Sequence, residues 1–181
     1  VEALIITHNA KLVGPMQFIV TTDQTIKRTD ELIDYLCGPR LWIPRLDYPD
    51  FDEWIQKVYT QLKSESKRAI IALSKGSIVG AVLYQRHAKK HDTLEIKNIT
   101  VRPDQRGRFL ASFMLRNAEI EGSFDFKVSR VVVDTKVRNR SVRMYLMKNG
   151  YVMLGTMDLY GLKAGDDVIY QKIIYVSKRN R

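Results

Sequence analysis

Apolar residues change their spacing along this chain in a regular way, and the changes mark its elements. Met16–Val20 (MQFIV) is a short strand-type run. From Thr29 to Cys37, Leu32, Ile33 and Leu36 recur at helical spacing, and Gly38-Pro39 ends the segment. Asp50-Phe51-Asp52-Glu53 opens a second helix, with acidic side chains where the positive end of the helix dipole favours them. Trp54, Val58 and Leu62 carry that helix on at core spacing. Ala69–Leu73 and Ile78–Gln85 are strand runs joined by the turn Ser74-Lys75-Gly76-Ser77, which predicts a hairpin. After a charged loop, Ala88–Asp92, a further strand runs from Leu94 to Val101, and Pro103 ends it by removing a ladder donor. Helical spacing returns at Leu110, Phe113, Met114, Ala118 and Glu121, with Gly122 as the expected stop. Val131–Asp134 predicts a strand, Asn139–Asn149 a helix, and Tyr151–Asp158 and Asp167–Val176 two more strands.

The predicted order is strand, two helices, three strands, helix, strand, helix, two strands. It describes an α+β fold, a mixed sheet with helices on both faces. At 181 residues with 45% hydrophobic content, one domain spanning 1–181 is expected. No apolar run is long enough to cross a bilayer, no membrane partner is expected, and the N-terminus lacks a signal-peptide pattern. The single cysteine, Cys37, has no internal disulfide partner. These features lead to the expectation of a cytoplasmic protein in which Cys37 is a small buried apolar residue. His8, His87 and His91 are scattered without metal-type spacing, so no metal is expected. The net charge of +10 favours anionic partners, RNA among them. The basic end Lys178-Arg179-Asn180-Arg181 reads as a solvated terminus. Monomer and homodimer both remain open.

The segment LEIKNITVRPDQRGRFLA, Leu94 to Ala111, carries the most chemistry. It leads from a strand through a basic turn into the start of a helix. The first turn of a helix leaves backbone N–H groups without partners and carries partial positive charge. Gly107 lets an anion approach the backbone, and Arg102, Arg106 and Arg108 would repel one another without one. The combination predicts a phosphate cradle, with a diphosphate as its guest.

At these residues the sequence resembles the GCN5-related N-acetyltransferase (GNAT) family. Val101-Arg102-Pro103 matches the end of that family's central strand, and Arg106, Gly107, Arg108 and Ala111 match its loop. Phe109 stands where the family usually has its first motif glycine. A second match lies downstream, at Asn139, Val142, Lys148, Gly150 and Tyr151. The family's frequent catalytic tyrosine falls on Leu146 here, with Tyr145 one residue earlier. The two matches together span about the last half of the chain.

The resemblance implies a splayed sheet and acetyl-CoA as cosubstrate. The cofactor-binding residues it implies are Ile99, Thr100 and Val101 along pantetheine, and Arg106, Gly107, Arg108, Phe109, Leu110, Ala111 and Ser112 around the diphosphate. Asn139 either contacts CoA or caps the last helix. Acyl transfer to an amine needs a base for the ammonium and a proton for the leaving thiolate. Glu95 is the candidate base, or else a carboxylate paired with Lys97. Tyr145 is the candidate acid, or else a core aromatic. The loop from Trp42 to Phe51 serves either the acceptor or packing between the first two helices. The expected activity is acetyl-CoA-dependent N-acetylation of an amine, on a protein, a small amine or aminoacyl-tRNA. The alternative is a GNAT-fold module that has lost catalysis and binds CoA or another protein.

Overall fold

The computed structural model describes residues 16–20, 28–38, 48, 50–159, 161 and 166–174. Its elements are β1 (Met16–Val20), α1 (Thr29–Cys37), α2 (Phe51–Lys63), β2 (Lys67–Ser74), β3 (Ser77–Arg86), β4 (Thr93–Val101), a single 3₁₀ turn (Pro103–Gln105), α3 (Leu110–Phe126), β5 (Arg130–Lys136), α4 (Arg140–Lys148), β6 (Val152–Met157) and β7 (Asp167–Ile173). This is the order the apolar pattern predicts. His8, Trp42 and most of its aromatic loop, and Lys178–Arg181 lie outside the described residues. The strands form one mixed sheet in the order β1-β2-β3-β4-β5-β7-β6. The chain divides into two compact units, residues 1–84 with 98–118, and residues 85–97 with 119–181.

In the first unit β1 pairs antiparallel with β2, from Met16↔Ser74 to Val20↔Ile70. Between β2 and β3, Lys75 (φ 51°) and Gly76 (φ 80°) are both left-handed. Two such residues form the turn whose twist matches a tight hairpin. Side chains alternate across a strand, so Ala69, Ile71 and Leu73 of β2 share a face, as do Ala81 and Leu83 of β3. These residues bury against Leu32 and Leu36 of α1 and Phe51, Ile55, Val58 and Leu62 of α2. Gly80, one step out of phase, faces the other side. A methyl group there would fall 2.9 Å from Met114 Cε of α3. Helices therefore cover both faces of this part of the sheet. The α2 stripe is centred on Ile55 rather than Trp54, which is only partly buried. One residue of helix is about 100° of rotation, enough to move a side chain from core to rim. Cys37 is exposed rather than buried. It follows the core residue Leu36, and the same rotation carries it off the packed stripe.

In the second unit β5 pairs antiparallel with β7 over seven residues, from Arg130↔Ile173 to Lys136↔Asp167. The last pair carries a buried ion pair, Lys136 Nζ to Asp167 Oδ1 at 2.8 Å. The parallel register of β4 and β5 covers four pairs and ends at Ile96↔Val133. Beyond it β5 continues to Lys136 beside β7, and β4 continues to Val101. β6 closes the order, with its register shifting between Met153 and Gly155. Gly122 does not stop α3, which runs on to Phe126. A Cβ at Gly122 would fall 2.5 Å from Leu94 Cδ2, so the glycine lets the helix lie close against β4.

β4 also changes phase against β3. His87 N–H donates to Thr93 O at 2.9 Å and Arg102 N–H donates to Val79 O at 2.8 Å. Eight positions separate 79 from 87, and nine separate 93 from 102, so β4 holds one extra residue between these bonds. An extra residue is a β-bulge, and it inverts the faces of the residues that follow. Leu94 accordingly packs on α3, whereas Thr100 turns toward Ala81, to whose carbonyl it donates at 3.5 Å.

Gly122→Leu is expected to lower the unfolding free energy by about 1–3 kcal/mol through overpacking. Urea denaturation measures it, and combining the change with Leu94→Ala is expected to recover part of the loss.

Candidate functional site

The passage from β4 to α3 is built from polar contacts and left-handed backbone. The Arg102 guanidinium grips Asp104, Nε to Oδ1 at 2.6 Å and Nη2 to Oδ2 at 2.8 Å. Hydrogen bonding from Arg102, with a second bond from Gln105 Nε2, holds the Asp104 carboxyl down at about 2. The same bond raises the Arg102 pKa. The three arginines were expected to need an outside anion. Asp104 supplies one from within the loop and offsets Arg102, so mutual repulsion does not by itself call for a ligand. Arg106 Nε donates to Val101 O at 3.0 Å, and Arg108 Nη1 to Gln105 Oε1 at 3.3 Å. Both of these bonds go to neutral acceptors, so they leave the guanidinium charges without a counter-charge among the described residues.

The helix begins at Leu110, where the helical spacing of apolar residues returns after the basic turn. Gly107 (φ 73°) and Phe109 (φ 59°) are both left-handed. A Cβ at Gly107 would meet nothing within 4 Å, so the backbone is open there. Phe109 keeps a glycine-type backbone although it has a side chain, at a cost of about 1–2 kcal/mol. Its ring is 81% exposed, while Leu110 beside it is buried. The ring therefore does not seal the turn. Phe109 O accepts from Phe113 N–H at 3.0 Å, the first bond of the helix. The N–H groups of Leu110, Ala111 and Ser112 fall in the first turn, where no intrahelical acceptor exists.

Along β4, Ile99 and Thr100 are half-buried and Val101 is buried. A residue that the motif did not flag joins them. Tyr35, on α1, buries its hydroxyl beside Thr100 and the Arg102 backbone. Burial raises its pKa from 10.0 to about 12, against the smaller opposing effects of Thr100, Arg102 and Arg106 nearby. Asn98 Oδ1 on β4 is also buried, and it has no partner among the described residues. Orphaned polar atoms are uncommon in folded proteins, so the Asn98 oxygen marks this stretch of β4 as polar and incompletely bonded.

In the second unit Glu95 is half-buried and occupied. Lys97 Nζ lies 2.6 Å from its Oε1, and Gln85 Nε2 donates to its Oε2 at 3.0 Å. On α4, Leu146 is fully buried and Tyr145 half-buried, with its hydroxyl buried. Asn139 occupies the N-cap position but makes no side-chain cap bond. Its Nδ2 donates to Thr135 Oγ1 at 3.3 Å instead. Glu119, buried on α3, accepts from the Tyr151 hydroxyl at 2.8 Å and from Lys172 Nζ at 3.0 and 2.8 Å. Burial, together with the neighbouring Glu119 charge, drives the Tyr151 phenol far upward. Glu119 lies one helical turn after the buried Leu115, and that spacing was the available signal for such a cluster, since a carboxylate on an apolar stripe needs partners.

The match to the Acetyltransferase (GNAT) family model covers residues 30–151, about two thirds of the chain, and includes the β4–α3 turn just described. This chain belongs to the GNAT family. It is by that membership an N-acetyltransferase, of a family that uses acetyl-CoA. Solved GNAT structures share the fold. The aminoglycoside 6'-acetyltransferase type Ii superposes with a TM-score of 0.66 at 16% identity, covering 87% of this chain and 97% of that one. The spermidine N-acetyltransferase SpeG of Vibrio cholerae gives 0.62 at 14%, covering 87% and 93%. The paia N-acetyltransferase of Thermoplasma acidophilum, in complex with coenzyme A, gives 0.61 at 15%, covering 87% and 98%. No curated protein matches by sequence. Among the described residues no group of His, Cys, Asp and Glu is arranged to hold a metal, and no helix is long and apolar enough to cross a membrane.

The raised Tyr35 pKa makes this GNAT protein sensitive to alkali. Between its ordinary value of 10.0 and about 12 the unfolded chain loses a proton that the folded chain keeps. Stability therefore falls as pH rises through that window. Tyr35→Phe is expected to flatten the decline in Tm in part, because Tyr151 contributes in the same direction. Lys172→Met removes the ammonium facing the Glu119 carboxylate, which keeps its Tyr151 bond, and is expected to cost about 1–3 kcal/mol in urea denaturation.

Proposed function

We propose that the protein transfers an acetyl group from acetyl-CoA to an amine, with the CoA diphosphate on the turn between β4 and α3. The observation that carries this reading is the backbone of that turn within a GNAT sequence. Gly107 and Phe109 hold the left-handed conformation, space is open above Gly107, and unbonded first-turn amides follow. Arg106 and Arg108 supply charge for the diphosphate, and Ile99, Thr100 and Val101 present backbone to the pantetheine amides. The buried Asn98 side-chain oxygen, unpartnered among the described residues, offers a further polar contact at that strand edge. Asn139 is the remaining candidate CoA contact.

Glu95 is the candidate base. In that role the contact with Lys97 opens, and a water between the carboxylate and the acceptor carries the ammonium proton. Tyr145 is the candidate acid for the departing sulfur. A thiol with a pKa near about 8.5 also leaves readily as thiolate, so this role is the lighter of the two. The acceptor class stays among small amines, protein amines and aminoacyl-tRNA. The structural neighbours named for spermidine and aminoglycosides make small polyamines the first acceptors to try.

Calorimetry tests the cosubstrate site. Arg106→Ala, which removes a phosphate-binding charge, is expected to weaken acetyl-CoA binding about tenfold, and Gly107→Glu, which puts a carboxylate in the turn, by more. Unchanged affinity in both variants would remove the site from this turn. Mass spectrometry of polyamines, peptides and charged tRNA incubated with acetyl-CoA then identifies the acceptor.

A further inference from the structure

Phe109 has the most exposed large apolar side chain among the described residues, at 81%, against 67% for Val152, the next. It occupies a backbone conformation that glycine takes freely and phenylalanine does not. It also stands beside Arg106 and Arg108, whose hydrogen bonds go to neutral acceptors. An exposed flat ring next to guanidinium groups is the chemistry that receives a phosphorylated base, by stacking on the ring and by charge on the phosphates. If the acyl-CoA reading above holds, on which this inference rests, the diphosphate lies on the first-turn amides and pantetheine lies along β4. The adenine is the part of the cosubstrate left over, and the solvent side of the turn, where the phenyl ring projects, is the place left for it.

We infer that Phe109 is the platform on which the adenine of acetyl-CoA stacks. The protein then draws its acetyl group from the nucleotide-bearing thioester and discriminates against a phosphopantetheine thioester that lacks adenosine.

Titration calorimetry on the full chain tests this with two ligands, acetyl-CoA and S-acetyl-4′-phosphopantetheine, and with competition by 3′-phosphoadenosine 5′-diphosphate, the nucleotide half. Phe109→Ala is expected to raise the Kd of acetyl-CoA by about 5- to 100-fold and to weaken competition by the nucleotide half in parallel. Binding of the adenosine-free thioester is expected to change by less than about twofold, and Phe109→Trp to keep wild-type affinity for acetyl-CoA. Phe109→Ala that binds acetyl-CoA like wild type, or with undiminished competition by the nucleotide half, overturns the stacking role and leaves the acyl-CoA site standing. Equal weakening of both thioesters, or loss of affinity in Phe109→Trp, also overturns it, since the ring would then only shape the turn. Wild-type protein that binds no acetyl-CoA removes the acyl-CoA reading itself.

Discussion

The structure depends on how the chain leaves β4 and enters α3. Eight residues, Arg102 to Phe109, must end a strand, reverse direction and start a helix of 17 residues. Two left-handed positions make the reversal possible, and one of them is a phenylalanine. Strain of that kind persists only where surrounding contacts over-determine the geometry. Here those contacts are the Arg102–Asp104 pair, the Arg106 bond back to Val101 and the burial of Leu110 next door. The same backbone that solves the folding problem leaves first-turn amides without intrahelical acceptors, the chemistry on which the proposed diphosphate site rests.

A second constraint acts along β4 itself. One extra residue against β3 turns Leu94 toward α3 and Thr100 toward Ala81. Without that slip the strand would present one unbroken pattern from end to end. With it, the first half of β4 packs a helix, and the second half carries Asn98, whose buried side-chain oxygen has no partner among the described residues. The buried Glu119 cluster has a different character. Its carboxylate is met by a phenol and an ammonium, and those bonds tie α3 to β7 and to the residue that follows Gly150. Such a cluster is costly to break and contributes little over apolar packing while intact, so it fixes geometry more than it adds stability.

Much of this was legible in the residues. Each α-helix and strand of the described chain appears in the predicted order, because run length and the flanking glycine, proline and acidic residues separate strand from helix where periodicity alone does not. The GNAT resemblance rested on the Val101–Ala111 and Asn139–Tyr151 segments, and the family match bears it out. Misreadings came where a local rule met a neighbour distant in sequence. Gly122 looked like a helix stop but makes room for Leu94. Asn139 looked like a cap but bonds to Thr135. Cys37 looked like core but is exposed, because the helix turns it away from the packed stripe.

The sequence by itself determined the fold class and the family, since those depend on periodicity and on residues adjacent in the chain. Tertiary structure alone decided which partners those residues have. That Asp104 neutralises Arg102, that Lys97 and Gln85 hold Glu95, that Tyr35 arrives beside Thr100, and that the Phe109 ring points to solvent all depend on where the backbone turns in space. Charge pairing and burial are set by distance through space, and a linear pattern does not record that distance.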